Sequence, residues 1–175
     1  VAYLMNFKRI LVAIDRSPST SIVFERAIDL AQKERANLTI LHCIANNTIG
    51  LEPLLESGAG TGFYPADPEF FQSLSNETLE EDRQAEAWLQ EYYQKAVTLN
   101  IPTEYQHHFG DPGTNICDVA RQWGADLVIL GRHDRQAMAE FFTGSVSNYV
   151  IHHADCSVLV VKRHESVGAD LKVGN

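Results

Sequence analysis

Short apolar runs rich in branched residues alternate along this chain with longer segments of helical periodicity, and this alternation most constrains the fold. Residues 7–15 read FKRILVAID, which is typical of a strand buried on both faces of a parallel sheet. Ser17 is then a candidate helix cap with Pro18 at the first helical position, and apolar residues recur at helical spacing to about residue 36. A second apolar run follows at residues 38–43 without a hairpin turn, so the opening predicts a right-handed βαβ unit.

The same alternation returns in the second half of the chain. We expect a long helix over residues 79–100, a polar outer strand over 103–109 and a helix that ends at Gly124. An apolar strand over 126–130, a further helix and a last strand over 157–161 complete the pattern. Five strands in alternation with four helices predict a three-layer α/β fold around a parallel sheet.

One stretch, residues 46–73, interrupts the pattern with prolines, glycines and aromatic residues. The 175 residues suit one domain, which we place at residues 5–164 with this stretch as an insertion and residues 165–175 as a C-terminal tail. The insertion follows a strand, so it leaves from the carboxyl edge of the sheet, where ligands of open α/β folds bind. A lid or partner-binding segment and a poorly ordered insertion both remain open.

The charge balance argues against two classes of partner. The chain has 14 basic and 23 acidic residues, a formal net charge of −9. Binding to nucleic acid and to anionic membranes depends on Lys and Arg, so we expect neither. No apolar run approaches the ~20 residues of a membrane helix, and the short apolar opening does not resemble a signal peptide. We therefore expect a cytoplasmic protein.

Several sequence motifs do not indicate the functional site that they first suggest. Three widely spaced cysteines (43, 117 and 156) predict buried reduced thiols rather than disulfides or a zinc site. The glycine-rich residues 58–62 neither follow a strand directly nor open a helix, as a dinucleotide loop must. The histidine pairs at 107–108 and 152–153 are adjacent in sequence, so their side chains diverge and should not share a metal. The acidic residues between 77 and 82 read as the solvated start of a helix.

The surviving candidate is a phosphate site after the fourth strand. That strand ends ILG, followed by RHD, and nine residues separate Asp134 from Gly144. Gly131 lets backbone approach a ligand where the strand emerges. Gly144 and Ser145 open a helix, where unpaired N–H groups and the positive end of the dipole favour a phosphate. An ordinary helix cap at Ser145 after a turn glycine would explain the same residues.

With these features the chain resembles the universal stress protein family. The resemblance rests on ILVAID with Ser17 just after it, LTILHC, GDPGTNICDVARQWGADLVILGRHD and TGSVSNYVIHHADCSVLVVKR. It covers nearly everything outside residues 46–73. It implies a flavodoxin-like, adenine nucleotide alpha hydrolase-like sheet of order 3-2-1-4-5 and a homodimer. ATP-binding members carry G-x-x-G, nine residues and G-[ST], a spacing that is intact here.

The resemblance implies a site for ATP or another adenine nucleotide. It places Ala13 and Cys43 beside the adenine, with Leu130 lining the pocket. It places Asp15 toward the ribose or a nucleotide-bound Mg²⁺. The residues that it implies cradle the nucleotide are Gly131, Gly144, Ser145, Val146 and Ser147.

One position departs from the family pattern, because the second glycine of the motif is Asp134 here. A carboxylate near phosphates repels them unless Mg²⁺ lies between, so Asp134 joins Asp15 as a candidate metal contact. A side chain also restricts the backbone where the family has glycine. Weakened triphosphate binding and a preference for AMP or a cyclic nucleotide are both open.

The last strand supports a dimer on independent grounds. In the order 3-2-1-4-5 it is an edge, yet Val158, Leu159, Val160 and Val161 carry no charge that would protect it from pairing with another chain. A covering loop is the alternative. The homodimer interface predicted here is this strand.

The function predicted from the sequence is a dimeric, adenine-nucleotide-binding sensor or regulator of the stress response. No residue of the motif is a base placed to activate water in line with a phosphate, so ATP hydrolysis should be slow at most. The alternative is a universal stress fold without nucleotide that binds a protein partner. Asp134 and the aromatic insertion are the evidence for that alternative.

Overall fold

Parallel strands and helices alternate through residues 6–44, 68–132 and 145–162, which are the residues that this computed structural model describes. In chain order the elements are β1 (Arg9–Ile14), α1 (Thr20–Glu34), β2 (Asn37–Ile44), α2 (Pro68–Thr98), β3 (Thr103–Phe109), α3 (Pro112–Trp123), β4 (Leu127–Gly131), α4 (Ser145–His153) and β5 (Ser157–Val161).

The five strands form one parallel sheet in the order β3-β2-β1-β4-β5, as predicted. β1 lies at the centre, and its Ala13 is the register partner of both Leu41 on β2 and Leu130 on β4. Since all the strands are parallel, their carboxyl ends meet at one edge of the sheet. Ligands of open α/β folds bind at that edge, so the loops that leave it are the expected binding site.

Helices cover both faces of the sheet, which gives the predicted three layers. Side chains of a strand alternate between the faces, so Ile10 and Val12 point to one side and Leu11 to the other. The first core lies under α1 and α2 and includes Val23 and Leu89. The second core lies under α3 and α4. Its members on those two helices are Ile116, Cys117, Val119, Ala120 and Val150.

The helix α2 begins at Pro68, eleven residues before the predicted start at residue 79. The prediction depended on the apolar spacing that faces the core from Ala85 onward, whereas a helix needs only continuous backbone hydrogen bonds. Proline is compatible with the first helical position because its missing N–H would have no partner there. Residues 68–73 are thus helical rather than part of an irregular insertion, and residues 46–67 lie outside the described part.

The helix α1 begins at Thr20, so the prediction of a Ser17 cap with Pro18 at the first position was wrong. Ser19 occupies the cap position without a capping side-chain hydrogen bond. The Ser17 hydroxyl instead lies 2.8 Å from the Ser19 hydroxyl, and the Thr20 amide donates to the Ser17 carbonyl at 3.2 Å. The chain therefore makes a tight turn before the helix.

Other boundaries follow the sequence more closely. β3 and β5 have the predicted bounds, and α3 ends at Gly124, whose φ of 71° suits glycine. Asp126 lies just before β4 rather than inside it. Its carboxylate accepts from the amides of Lys8 and Arg9 at 2.7 and 3.2 Å. Among the described helices, none combines the length and the apolar character that crossing a membrane requires.

Candidate functional site

The carboxyl ends of the central strands bring several predicted site residues together. Ala13 and Leu130 are neighbours in register, and Cys43 on β2 faces the same side of the sheet. Leu130 is buried in the second core, and Ala13 on β1, Cys43 on β2 and Val146 on α4 are half-buried and pack against that core. Apolar side chains near this edge of the sheet are therefore partly open to solvent.

Asp15 fastens the loop between β1 and α1. One of its carboxylate oxygens accepts from the Ser17 amide at 3.1 Å and lies 3.1 Å from the Thr20 hydroxyl. The Thr20 hydroxyl also contacts the Asp15 carbonyl oxygen. These contacts hold the carboxylate in a defined orientation beside the end of β1.

Gly131 ends β4 and lies against α1. A Cβ on this residue would be 3.0 Å from a methyl carbon of Val23 and 3.6 Å from the Ser19 hydroxyl. Val23 is buried and branched, so it has little room to move. The described contacts thus give this glycine a packing role toward α1, in addition to the ligand contact that the sequence suggested.

The helix α4 supplies the N-terminus predicted for the phosphates. Ser145 is its first residue and is exposed, Val146 is half-buried, and Ser147 is buried. Residues 145–147 thus belong to a helix, as predicted. Gly144 and Asp134 lie outside the described residues, so the predictions for these two positions remain predictions.

The electrostatic setting of Cys43 makes it unreactive. Burial, with a smaller contribution from the negative charge of Asp111, raises the pKa of its thiol to about 12. The thiol therefore stays protonated at neutral pH and is a poor nucleophile. It offers a ligand a soft, weakly polar surface.

Asp111 is a residue near the site that the sequence analysis missed. Its side chain caps α3 by accepting from the Thr114 amide at 2.8 Å. The signal was present in the sequence, because Asp111-Pro112 is the pairing expected of a cap and a first helical residue. What the sequence did not reveal is that this carboxylate is near enough to influence Cys43.

The cysteines correct one further expectation. All three are free thiols, but only Cys117 is buried, whereas Cys43 and Cys156 are half-buried. Their intermediate exposure follows from their places at the sheet edge and just before β5. The prediction of reduced thiols agrees with this arrangement, and the prediction of three buried ones does not.

A second polar cluster lies on the α2 face of the same sheet edge, and the sequence analysis missed it as well. His107 on β3 donates from Nε2 to the Asp82 carboxylate at 2.7 Å. His42 is the register partner of His107 and donates from Nδ1 to the Ile14 carbonyl at 3.0 Å. Asp82 is therefore inside α2 with a histidine partner, rather than at a solvated helix start. Among the described residues, no three side chains are arranged to hold a metal ion.

Comparisons with known proteins identify the family. The model of the universal stress protein family matches residues 6–162, so this chain belongs to that family. The universal stress protein Sll1388 of Synechocystis is 39% identical over 161 residues, which cover 90% of this chain and 99% of the relative.

Solved structures agree with this assignment. The universal stress protein UspA from Lactobacillus plantarum is similar with a TM-score of 0.68 and 26% identity, over 89% of this chain and 98% of that one. A universal stress protein determined in complex with cAMP has the same fold, with a TM-score of 0.59 and 20% identity over 90% of this chain and 98% of that one.

Proposed function

We propose that this universal stress protein binds an adenine nucleotide at the carboxyl edge of its sheet and acts as a cytoplasmic, homodimeric sensor or regulator. The observation that carries the proposal is that the half-buried Ala13, Cys43 and Val146 pack against one core with Leu130, near the carboxyl ends of three neighbouring strands and the beginning of α4.

The apolar surface suits a planar, uncharged base. Ala13 has a small side chain, so a ring can approach the end of β1 closely. The protonated Cys43 thiol adds a polarizable contact of the kind that favours aromatic rings. Adenine is neutral at physiological pH, so these residues need supply no charge to hold it.

The start of α4 suits a phosphate. The first amides of a helix have no partner within it, and the dipole places partial positive charge there. Ser145 is exposed at this position and can add a hydroxyl donor. Ser17 and Thr20 orient the Asp15 carboxylate, which supports a role in accepting from a ribose hydroxyl or contacting a nucleotide-bound Mg²⁺. When bound, Mg²⁺ would offset the negative charge of the phosphates.

The family supports an adenine nucleotide but leaves the phosphate chain open. The related structure with cAMP contains an adenine and a single phosphate. A ligand of this kind places less charge near Asp134 than ATP does. The proposal therefore includes AMP and cyclic AMP beside ATP, and it assigns the protein slow ATP hydrolysis at most.

Titration calorimetry with ATP, AMP and cyclic AMP, each with and without Mg²⁺, tests the proposal. We expect micromolar binding of one or more of them. Ser145→Asp should weaken it by about tenfold or more, because the new charge faces the phosphate. The variant should remain folded, since an acidic residue is favourable at a helix start. Asn76→Asp, at an exposed position of α2, is the matched control and should bind normally.

Absence of binding below about 1 mM, together with no nucleotide carried through purification, would contradict the proposal. The alternative of a nucleotide-free protein-interaction module would then be favoured. Asp134→Gly separates the roles of that residue. Stronger ATP binding would mean that Asp134 limits the site, and weaker Mg²⁺-dependent binding would mean that it holds the metal. No effect would exclude both roles.

A further inference from the structure

A groove in two parts lies between α1 and α2, on the face of the sheet opposite Ala13 and Cys43. Its upper part, about 430 Å³, lies between the loop after β1 and α2. Its lower part, about 300 Å³, lies between α1 and the end of α2. Tyr92 lines both parts, so they lie next to each other along α2. We call the two parts together the α1–α2 groove.

Aromatic and aliphatic side chains form the floor of the α1–α2 groove. Trp88 and Tyr92 meet edge to face with ring centres 5.1 Å apart, and Phe24 meets Tyr92 at 4.8 Å. Ile28 and Leu99 extend this floor downward, and Leu99 is 45% exposed. Interlocked rings of this kind are rigid, so a partner would meet a preformed surface.

The rim of the α1–α2 groove is acidic. Asp15 and Glu91 border its upper part, and Glu25 and Asp29 border its lower part. Asp29 also pairs with Lys33 at 2.7 Å, an exposed contact that solvent screens.

Two cations in the groove both lie over aromatic rings. The Arg16 guanidinium is 5.8 Å from the Trp88 ring centre, and the Lys95 ammonium is 4.9 Å from that of Tyr92. These contacts show that the faces of both floor rings accept positive charge. Acids outnumber bases in the lining, so the groove favours a basic occupant.

We propose that the α1–α2 groove docks a basic amphipathic helix of a protein partner. The lining residues from Gln84 on α2 to Leu99 just after it span about 22 Å, the length of roughly four helical turns at 1.5 Å per residue. Apolar side chains of the partner at helical spacing would lie on the floor, and its Lys or Arg residues would face Glu25 and Glu91.

Charge also argues against other occupants. Residues 45–67 of this chain contain Glu52, Glu56 and Asp67 and no Lys or Arg, so they do not complement the rim. A second copy would bring an identical acidic groove against this one. A nucleotide would bring phosphates to it. Asp15 is common to the groove rim and to the proposed nucleotide site, whose apolar residues Ala13 and Cys43 lie on the other face of the sheet. The inference does not depend on nucleotide binding, because its test contains no nucleotide.

The test uses a synthetic 15-residue Leu/Lys helix with leucines along one face, labelled for fluorescence anisotropy, at physiological salt. Its matched control has Glu in place of every Lys. The protein carries Trp123→Phe, so that Trp88 reports from the groove alone. We expect the Leu/Lys peptide to bind saturably at about 10 μM with a change in Trp88 emission, and the Leu/Glu peptide not to bind.

Two pairs of variants decide whether the groove is the place of binding. Glu25→Gln with Glu91→Gln should weaken the Leu/Lys peptide about fivefold, and the exposed β3 control Glu104→Gln should not. Leu99→Ser should weaken it similarly, whereas Leu79→Ser, 53% exposed elsewhere on α2, should not.

Equal losses in variants and controls would mean general attraction of a cationic peptide to an acidic protein, and would overturn the proposal. Binding of both peptides, or no binding at all, would also overturn it. Sedimentation velocity without peptide supplies a further check. If Leu99→Ser alone turns an oligomer into a smaller species, a second copy covers the groove and the proposal is wrong.

Discussion

At the scale of single residues, two buried threonines differ in what their hydroxyls do. Thr20 is 4% exposed and its hydroxyl contacts Asp15, whereas Thr39 is 1% exposed and its hydroxyl finds no hydrogen-bond partner among the described residues. Burying an unpaired hydroxyl is unfavourable, and removing a satisfied one leaves its partner unpaired.

We therefore expect Thr39→Val to keep or raise the free energy of unfolding by up to about 1 kcal/mol. Thr20→Val should lower it by about 1–2 kcal/mol. Urea unfolding of the two variants measures both effects, and the two serve as controls for each other because the chemical change is the same. Equal losses in the two variants would show that the Thr39 hydroxyl does have a hydrogen-bond partner.

His42 predicts a pH dependence of stability. Burial lowers its pKa, the nearby Arg16 charge lowers it further, and the hydrogen bond to the Ile14 carbonyl opposes the shift, as does the Asp15 charge. The unfolded chain then binds a proton at higher pH than the folded one. The contribution of His42 to stability is therefore complete above the ordinary histidine pKa of about 6.5 and is lost as the pH falls from there through the lowered, folded-state pKa.

Urea unfolding between pH 7.5 and 5.5 should show this loss, with a slope of at most about 1.4 kcal/mol per pH unit for one proton. His42→Gln keeps a donor for the Ile14 carbonyl but cannot titrate, so its profile should be flatter. His152→Gln, exposed at the end of α4, is the control and should follow the parent. Parallel profiles for all three would rule out His42 as the source.

The position of a residue in the fold was predictable from the sequence where that residue lies near the end of a strand. Ala13, Cys43 and Leu130 were assigned to one site because they resemble the family at strand ends, and the sheet does bring them together. The influence of Asp111 on Cys43 and the contact of Gly131 with Val23 could not be predicted. Both depend on how helices pack against the sheet, which a strand pattern does not specify.

At the scale of elements, α3 and α4 approach each other through Gly113. A Cβ on Gly113 would lie 2.8 Å from a ring carbon of Tyr149 and 3.2 Å from the Tyr149 Cβ. The second of these atoms is close to the α4 backbone, so a rotamer change cannot relieve the contact. We expect Gly113→Ala to lower the free energy of unfolding by about 1–3 kcal/mol, although alanine is the better helix former.

The same change in a Tyr149→Ala background provides the control. Without the ring the helices can accommodate a methyl group, so the penalty for Gly113→Ala should shrink by at least 1 kcal/mol or so in a double-mutant cycle. Additive effects would mean that the cost arises within α3 itself. Urea unfolding of the four proteins supplies the cycle.

Element boundaries show which part of a helix a sequence specifies. Gly124 was a reliable end for α3 because its positive φ restricts the residue type. The start of α2 was missed because nothing in the apolar pattern before Ala85 distinguishes a helix from a loop. Because the helix start was predicted too late, Asp82 was assigned to a solvated first turn, whereas it lies inside α2 and contacts His107.

At the scale of the whole molecule, the parallel sheet was predictable from alternation, but the strand order was not. The buried strands read alike, with branched apolar residues on both faces, so no local pattern says which of them are neighbours. The order came from the resemblance to the family, and the structure confirms it. That order makes β5 an edge, which leads to the last prediction.

The backbone of β5 can pair with a second copy. The Ser157 amide donates to the carbonyl of Asp126, just before β4, and the Val161 carbonyl accepts from the amide of Arg132, just after β4. The backbone N–H and C=O groups of the odd-numbered residues of β5 therefore point toward β4. Successive residues of a strand point their N–H and C=O groups in opposite directions, so those of Val158 and Val160 face the open side. Leu159 adds an apolar side chain that is 36% exposed. We expect β5 to pair with β5 of a second copy.

Val160→Pro should convert the dimer to a monomer in sedimentation velocity, because it removes an outward N–H and leaves the hydrogen bonds to β4 in place. The loss of folding stability should be small, since proline is tolerated at edge positions of this kind. Leu159→Lys tests the same edge through charge, without touching the backbone, and should also give monomers. Ile151→Lys, 46% exposed on α4, is the control and should stay dimeric. A dimer that persists in both β5 variants would place the interface elsewhere, because pairing of this edge should be lost when Val160 has no amide hydrogen and when Leu159 carries a charge.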